Sequence, residues 1–101
     1  MRSLFMITRD RILELLRMNK GLMQEQFAVR RIGLFGSYVR NEPATDSDID
    51  LLVEFDDPTY DHYMDLKFYL EDIFKAEVDL VMADGLKPRL KPHITHEIVY
   101  A

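Results

Sequence analysis

The chain has 101 residues, 48% of them apolar, no cysteine, and a formal net charge of −5. That length suits a single globular domain over residues 1–101 with a modest core, and the absence of Cys excludes a disulfide framework and thiolate metal sites. The apolar start ending at Ile7 is cut by Arg9, Asp10 and Arg11, short of a signal peptide or membrane span, so a cytoplasmic protein with no membrane partner is expected.

Thr8 is placed to cap a helix whose apolar stripe runs through Ile12, Leu13, Leu15, Leu16 and Met23, with an interruption at Asn19, Lys20 and Gly21. A strand follows from about Val29 to Phe35, and Gly36 breaks it. A short helix from Ser37 to about Arg40 would aim its first amides at an anion. Asn41 to Ser47 has turn composition, Ile49 to Phe55 reads as the second strand, and Asp56, Asp57 and Pro58 end it. Tyr63, Leu66, Phe68, Leu70, Ile73 and Phe74 give the apolar positions of a helix from about Tyr60 to Phe74, with Lys75 at its end. The third strand is Val78 to Met82, and a last short helix runs from Lys91 or Pro92 to about Val99. This αβαβαβα order predicts one small sheet covered by helices, in the α/β (α+β) class.

Charge is unevenly spread along the chain. Residues 1 to 40 hold eight Lys and Arg against three acids, 41 to 84 hold two against fourteen, and 85 to 101 hold three against one. The acidic middle suits divalent cations and a basic partner and repels a phosphate backbone. With no helix-turn-helix cue, zinc spacing or basic stripe interleaved with aromatics, direct nucleic-acid binding is not expected.

Residues 36 to 50, GSYVRNEPATDSDID, carry the chemistry. Asp48 and Asp50 stand i, i+2 at the head of the apolar run Leu51, Leu52, Val53, so strand alternation puts both carboxylates on one face. Their mutual repulsion is relieved by a cation between them, and hard oxygen ligands favour Mg²⁺ or Mn²⁺. Gly36 allows close approach of backbone N–H groups to an anion, and the Ser37 hydroxyl adds a donor.

This pattern, Gly-Ser, ten residues, then Asp-x-Asp, resembles the signature of the DNA polymerase β-like nucleotidyltransferase superfamily. In size and over nearly the whole chain the sequence is most similar to the minimal nucleotidyltransferases (MNT), the antitoxin halves of prokaryotic HEPN/MNT toxin-antitoxin pairs. The segments carrying the likeness are Arg31 to Tyr38, Asp46 to Val53, Val78 to Val81 and Leu86 to Leu90. One departure is visible, because that family often has Arg-Gly-Glu where Arg40, Asn41 and Glu42 stand here. Asn tolerates a left-handed backbone, so the turn is expected to survive.

The resemblance implies a three- to four-stranded mixed sheet and a third metal ligand, Asp79, on a neighbouring strand. A carboxylate inside an apolar strand is costly to bury unless paired or metal-bound, which agrees with that role. It further implies ATP as substrate with its triphosphate against Gly36 and Ser37, and two Mg²⁺ ions held by Asp48, Asp50 and Asp79. Asp79 would take the acceptor proton, and Arg40 would pair with the triphosphate or the acidic wall. AMP transfer to a hydroxyl, by resemblance a tyrosine of a cognate HEPN ribonuclease toxin, would make the chain an antitoxin acting in a hetero-oligomer. Two alternatives are a non-catalytic antitoxin that neutralises by binding, and an antibiotic-modifying nucleotidyltransferase completed by a helical subunit.

Plainer readings stand beside these. Asp48 and Asp50 also fit a strand cap and a turn acid, Asp79 a surface acid on an edge strand, and Arg40 a surface ion-pair partner. His93 and His96 lack further nitrogen or sulfur ligands for zinc. Tyr63 and Tyr69 fit the apolar side of a helix, Tyr38 packing beside the Gly-Ser bend, and the Met residues core filling.

Overall fold

The computed structural model describes residues 7–40, 48–85, 89 and 91–101. The turn expected at 41–47 and, apart from residue 89, the 86–90 segment lie outside the described residues. Helices α1 (Arg9–Met18) and α2 (Lys20–Phe27) precede strand β1 (Val29–Phe35). A 3-10 turn (Gly36–Tyr38), strand β2 (Ile49–Phe55), helix α3 (Tyr60–Phe74) and strand β3 (Val78–Met82) follow, and a second 3-10 turn (Ala83–Gly85) closes β3. Helix α4 (Lys91–Glu97) and strand β4 (Val99–Tyr100) complete the order.

The four strands form one mixed sheet in the order β3-β2-β1-β4. The β1 strand is antiparallel to both β2 and β4, while β2 and β3 are parallel with α3 as their connection. The expected mixed sheet is thus present with four strands. Val99, read from sequence as the end of the last helix, instead pairs with Tyr100 as β4, and α4 stops at Glu97. Two residues are too few to show a strand period.

Local chemistry explains the boundaries. The Thr8 hydroxyl oxygen accepts the Arg11 N–H at 3.2 Å and caps α1. Between α1 and α2, Asn19 donates its side-chain amide to the Leu15 carbonyl and accepts the Tyr69 hydroxyl, so the interruption is tied to α3. Ala28 and Lys75 end α2 and α3 in the left-handed conformation at φ 57° and 52°. A bulge between Val29 and Arg31 shifts the pairing with β2 where two consecutive charges, Arg30 and Arg31, are exposed.

Alternation gives the sheet two different faces. Ile49, Leu51, Val53 and Phe55 of β2 point with Ile32, Leu34, Val78 and Leu80 into a core closed by Ile12, Leu16, Met23, Leu66, Leu70 and Phe74 of the helices. The register Phe35↔Asp50↔Asp79 runs across three strands on the opposite face. Phe68, counted among the apolar positions of α3, is 59% exposed because its neighbours Leu66 and Leu70 take the buried stripe.

Candidate active site

The end of β1 and the starts of β2 and β3 meet at one end of the sheet, because β1 runs against β2 and β2 runs with β3. Phe35 lies opposite Asp50, and Asp50 opposite Asp79, so Gly36 directly follows a strand position in register with both acids. Neighbouring strands are about 4.8 Å apart, which places the two carboxyl groups within reach of one another. Burial, then the charge of Asp79, then that of Asp48, raise the Asp50 carboxyl from its ordinary 3.8 to about 6; a hydrogen bond with the Asp79 side chain adds to the rise and the Arg40 charge opposes it.

Gly36 has φ +82°, and a Cβ on it would lie 2.1 Å from Asp50 Oδ2. Any side chain would therefore be strained in the backbone and would displace the carboxylate. This bend is a single 3-10 turn, not the helix expected from Ser37 to Arg40: the Val39 and Arg40 N–H groups both return to the Gly36 carbonyl, at 3.1 and 3.4 Å. Tyr38 packs into the core below it, and burial, followed by the Asp48 charge, pushes its phenol up.

The six residues singled out from sequence therefore gather at one end of the sheet, in different surroundings. Asp50 and Asp79 form a pair, whereas Asp48 is exposed and acts on Asp50 through its charge. Among the described residues no three acidic or histidine side chains already enclose a cation position. Asp79 lies exposed on the edge strand, so the burial cost inferred from its apolar neighbours does not apply; Asp50 is the half-buried acid. The Arg40 Nη1 donates to Glu97 Oε1 at 2.7 Å.

Glu97 is the site residue that sequence reading missed. Its Oε2 accepts the Gly36 N–H at 3.0 Å, so this amide serves the loop's own conformation. The one available signal was that Glu97 is the sole acid between residues 85 and 101.

The donor set fits a hard divalent cation. Two oxygen-only carboxyl groups share a face, and burial, then the charges of Asp79 and Asp48, push the Asp50 carboxyl up to about 6, a rise that a bound cation would oppose. Asp48, exposed and close enough for its charge to act on Asp50, is the candidate for a third carboxylate ligand.

Residues 16–101 match the nucleotidyltransferase domain family. The protein adenylyltransferase MntA of Thermococcus cleftensis is 42% identical over 96 residues, covering 94% of this chain and 97% of that protein. A solved protein provisionally described as a minimal nucleotidyltransferase superposes with TM-score 0.71 at 35% identity, over 86% of this chain and 93% of the other. A chain from the complex of tri-AMPylated Shewanella oneidensis HEPN toxin with MNT antitoxin superposes with TM-score 0.57 at 25% identity, over 91% of this chain and 66% of that one. The paired acids beside a glycine bend, the mixed sheet and this similarity along the whole chain agree: the protein belongs to the nucleotidyltransferase domain family, in its minimal, MntA-like branch.

Proposed function

We propose that this nucleotidyltransferase transfers AMP from ATP, with Mg²⁺, to a tyrosine hydroxyl of a partner HEPN toxin, and so acts as its antitoxin. The observation that carries the reading is the Asp50–Asp79 register pair beside a bend that only glycine can make. Support for a protein acceptor comes from the T. cleftensis relative, a protein adenylyltransferase, and from the S. oneidensis complex with its tri-AMPylated toxin.

Asp50 and Asp79, joined by Asp48, are the groups to hold Mg²⁺. When bound, the ion neutralises phosphate charge and makes a coordinated hydroxyl more acidic. Asp79, exposed at the sheet edge, receives the proton of the incoming hydroxyl while the half-buried Asp50 keeps its carboxyl beside Gly36. The acceptor oxygen bonds to the α-phosphorus as the bond to pyrophosphate breaks. Ser37 and Arg40 are the donors for the triphosphate. The acceptor enters on the sheet face away from α1, α2 and α3, since those helices fill the other face.

The open position of Asp48 favours a second reading, neutralisation by binding alone. Incubating the protein with its toxin partner, ATP and Mg²⁺, followed by intact mass analysis, separates the two. Transfer adds one or more AMP masses to the partner, and Asp48→Asn removes the adduct with the thermal midpoint kept. An unmodified partner that is still neutralised means binding alone; AMP found on an aminoglycoside instead of the partner means antibiotic modification.

A further inference from the structure

The carboxylate of Glu97 spans two parts of the bend from the far end of the chain. Its Oε2 accepts the Gly36 N–H at 3.0 Å and its Oε1 accepts Arg40 Nη1 at 2.7 Å. The register explains why it is there. The pairs Gly33↔Tyr100 and Leu34↔Val99, continued residue by residue, set Gly36 opposite Glu97. At that point the chain has left β4 for α4, so no strand carbonyl faces the Gly36 amide. The Glu97 side chain supplies the missing acceptor.

The direction of this hydrogen bond matters. The Gly36 N–H points toward the β4 side of β1, whereas Asp50 and Asp79 lie on β2 and β3, on the other side. Glu97 therefore grips the bend from behind and does not stand in the space between the two aspartates. Arg40 lies between: it is bonded to Glu97, and its charge is felt by Asp50.

We propose that Glu97 is a positioning residue of the nucleotide site, holding the Gly36 bend in its left-handed form and linking it to the Arg40 guanidinium that serves the triphosphate. This rests on the Mg²⁺-ATP reading above. Glu97 touches no reacting atom and acts through Gly36 and Arg40. Its side chain is 27% exposed, so its charge-assisted bonds are only partly screened.

Two substitutions divide the roles: Glu97→Ala removes both bonds, and Glu97→Gln keeps an acceptor for the Gly36 amide but drops the negative charge that Glu97 presents to Arg40. Hydrogen exchange of the Gly36 amide, read without nucleotide, should lose protection in Glu97→Ala and keep it in Glu97→Gln. Calorimetric titration with Mg²⁺-ATP should show affinity about tenfold weaker in both variants, the scale of one charge-assisted hydrogen bond. In an Arg40→Ala background the Glu97→Gln effect on affinity should vanish. Unchanged Mg²⁺-ATP affinity in Glu97→Ala, or a Glu97→Gln effect that persists in full without Arg40, overturns the proposal alone. A wild-type protein that takes up no Mg²⁺-ATP overturns the nucleotide reading and this one with it, whereas Gly36 protection still reports whether the clamp exists.

Discussion

Asp50 shows how one carboxyl links stability to ligand binding. Below about pH 4 it is protonated in folded and unfolded chains alike and contributes nothing to stability differences. Between its ordinary value of 3.8 and about 6 the folded protein holds a proton that the unfolded chain has released, so stability falls as pH rises, and above about 6 the destabilisation is complete. A divalent cation removes that destabilisation, in competition with the same proton. The rise in thermal midpoint on adding Mg²⁺ should therefore grow from pH 5 to 7 and level off above, and Asp50→Asn should raise the metal-free midpoint at pH 7.5 while abolishing the Mg²⁺ response. Differential scanning fluorimetry across that range tests both. At Gly36, substitution by Ala forces a left-handed backbone on a residue with a Cβ and drives that Cβ onto Asp50. Gly36→Ala should cost about 1–2 kcal/mol in urea denaturation from the backbone alone, and it should eliminate Mg²⁺-dependent stabilisation because the carboxylate has to move.

Among the elements, β3 depends on α3 for its place. Glu71 Oε2 accepts both the Lys67 ammonium at 2.8 Å and the Val78 backbone N–H at 3.1 Å, and these contacts hold its carboxyl below the usual range. The Tyr63 hydroxyl donates to the Leu80 carbonyl at 2.6 Å, so two unladdered backbone groups of the edge strand are satisfied by one helix. Glu71→Ala leaves the Val78 amide without its acceptor one residue before Asp79. A loss of about 1–3 kcal/mol in denaturant unfolding is expected, with weaker Mg²⁺ binding in proportion to the disturbed strand start. On the opposite edge, β4 is held by close contact. A Cβ on Gly33 would come within 2.9 Å of Tyr100 and Ile98 side-chain atoms, and Tyr100 carries the Arg31 guanidinium 4.0 Å above its ring. Those contacts make Val99 and Tyr100 a strand, where local pattern had suggested that Val99 ends a helix.

Across the molecule, the sheet divides labour: one face builds the core and the other carries the acids. No helix among the described residues is long and apolar enough to cross a membrane. Leu70 is fully buried between helix and sheet on the core face, away from the Asp50–Asp79 face. Leu70→Ala should cost about 2–5 kcal/mol by loss of transfer free energy and cavity formation, a large part of the roughly 5–15 kcal/mol that stabilises a domain. Its urea midpoint should fall with little change in slope, while the Mg²⁺ response of the folded protein persists. Coupled loss of both would mean that core and site are not separable.

Local pattern was enough to place β1, β2, β3 and α3 with their observed boundaries, because apolar spacing is a local property and Gly36, Asp48, Asp56 and Thr59 stand at ends of β1, β2 and α3. The spacing from Gly36 to Asp50 similarly pointed to the candidate site, since a bend and a strand face are both legible over fifteen residues. Other features needed atoms far apart in sequence to meet. The exposure of Asp79 depends on β3 being an edge strand, the raised proton affinity of Asp50 on two strands lying in register, and the hold of Glu97 on Gly36 on a contact across 61 positions. Electrostatic repulsion and hydrogen bonding act through space, and no one-dimensional pattern records which residues the folded backbone brings within a few ångströms.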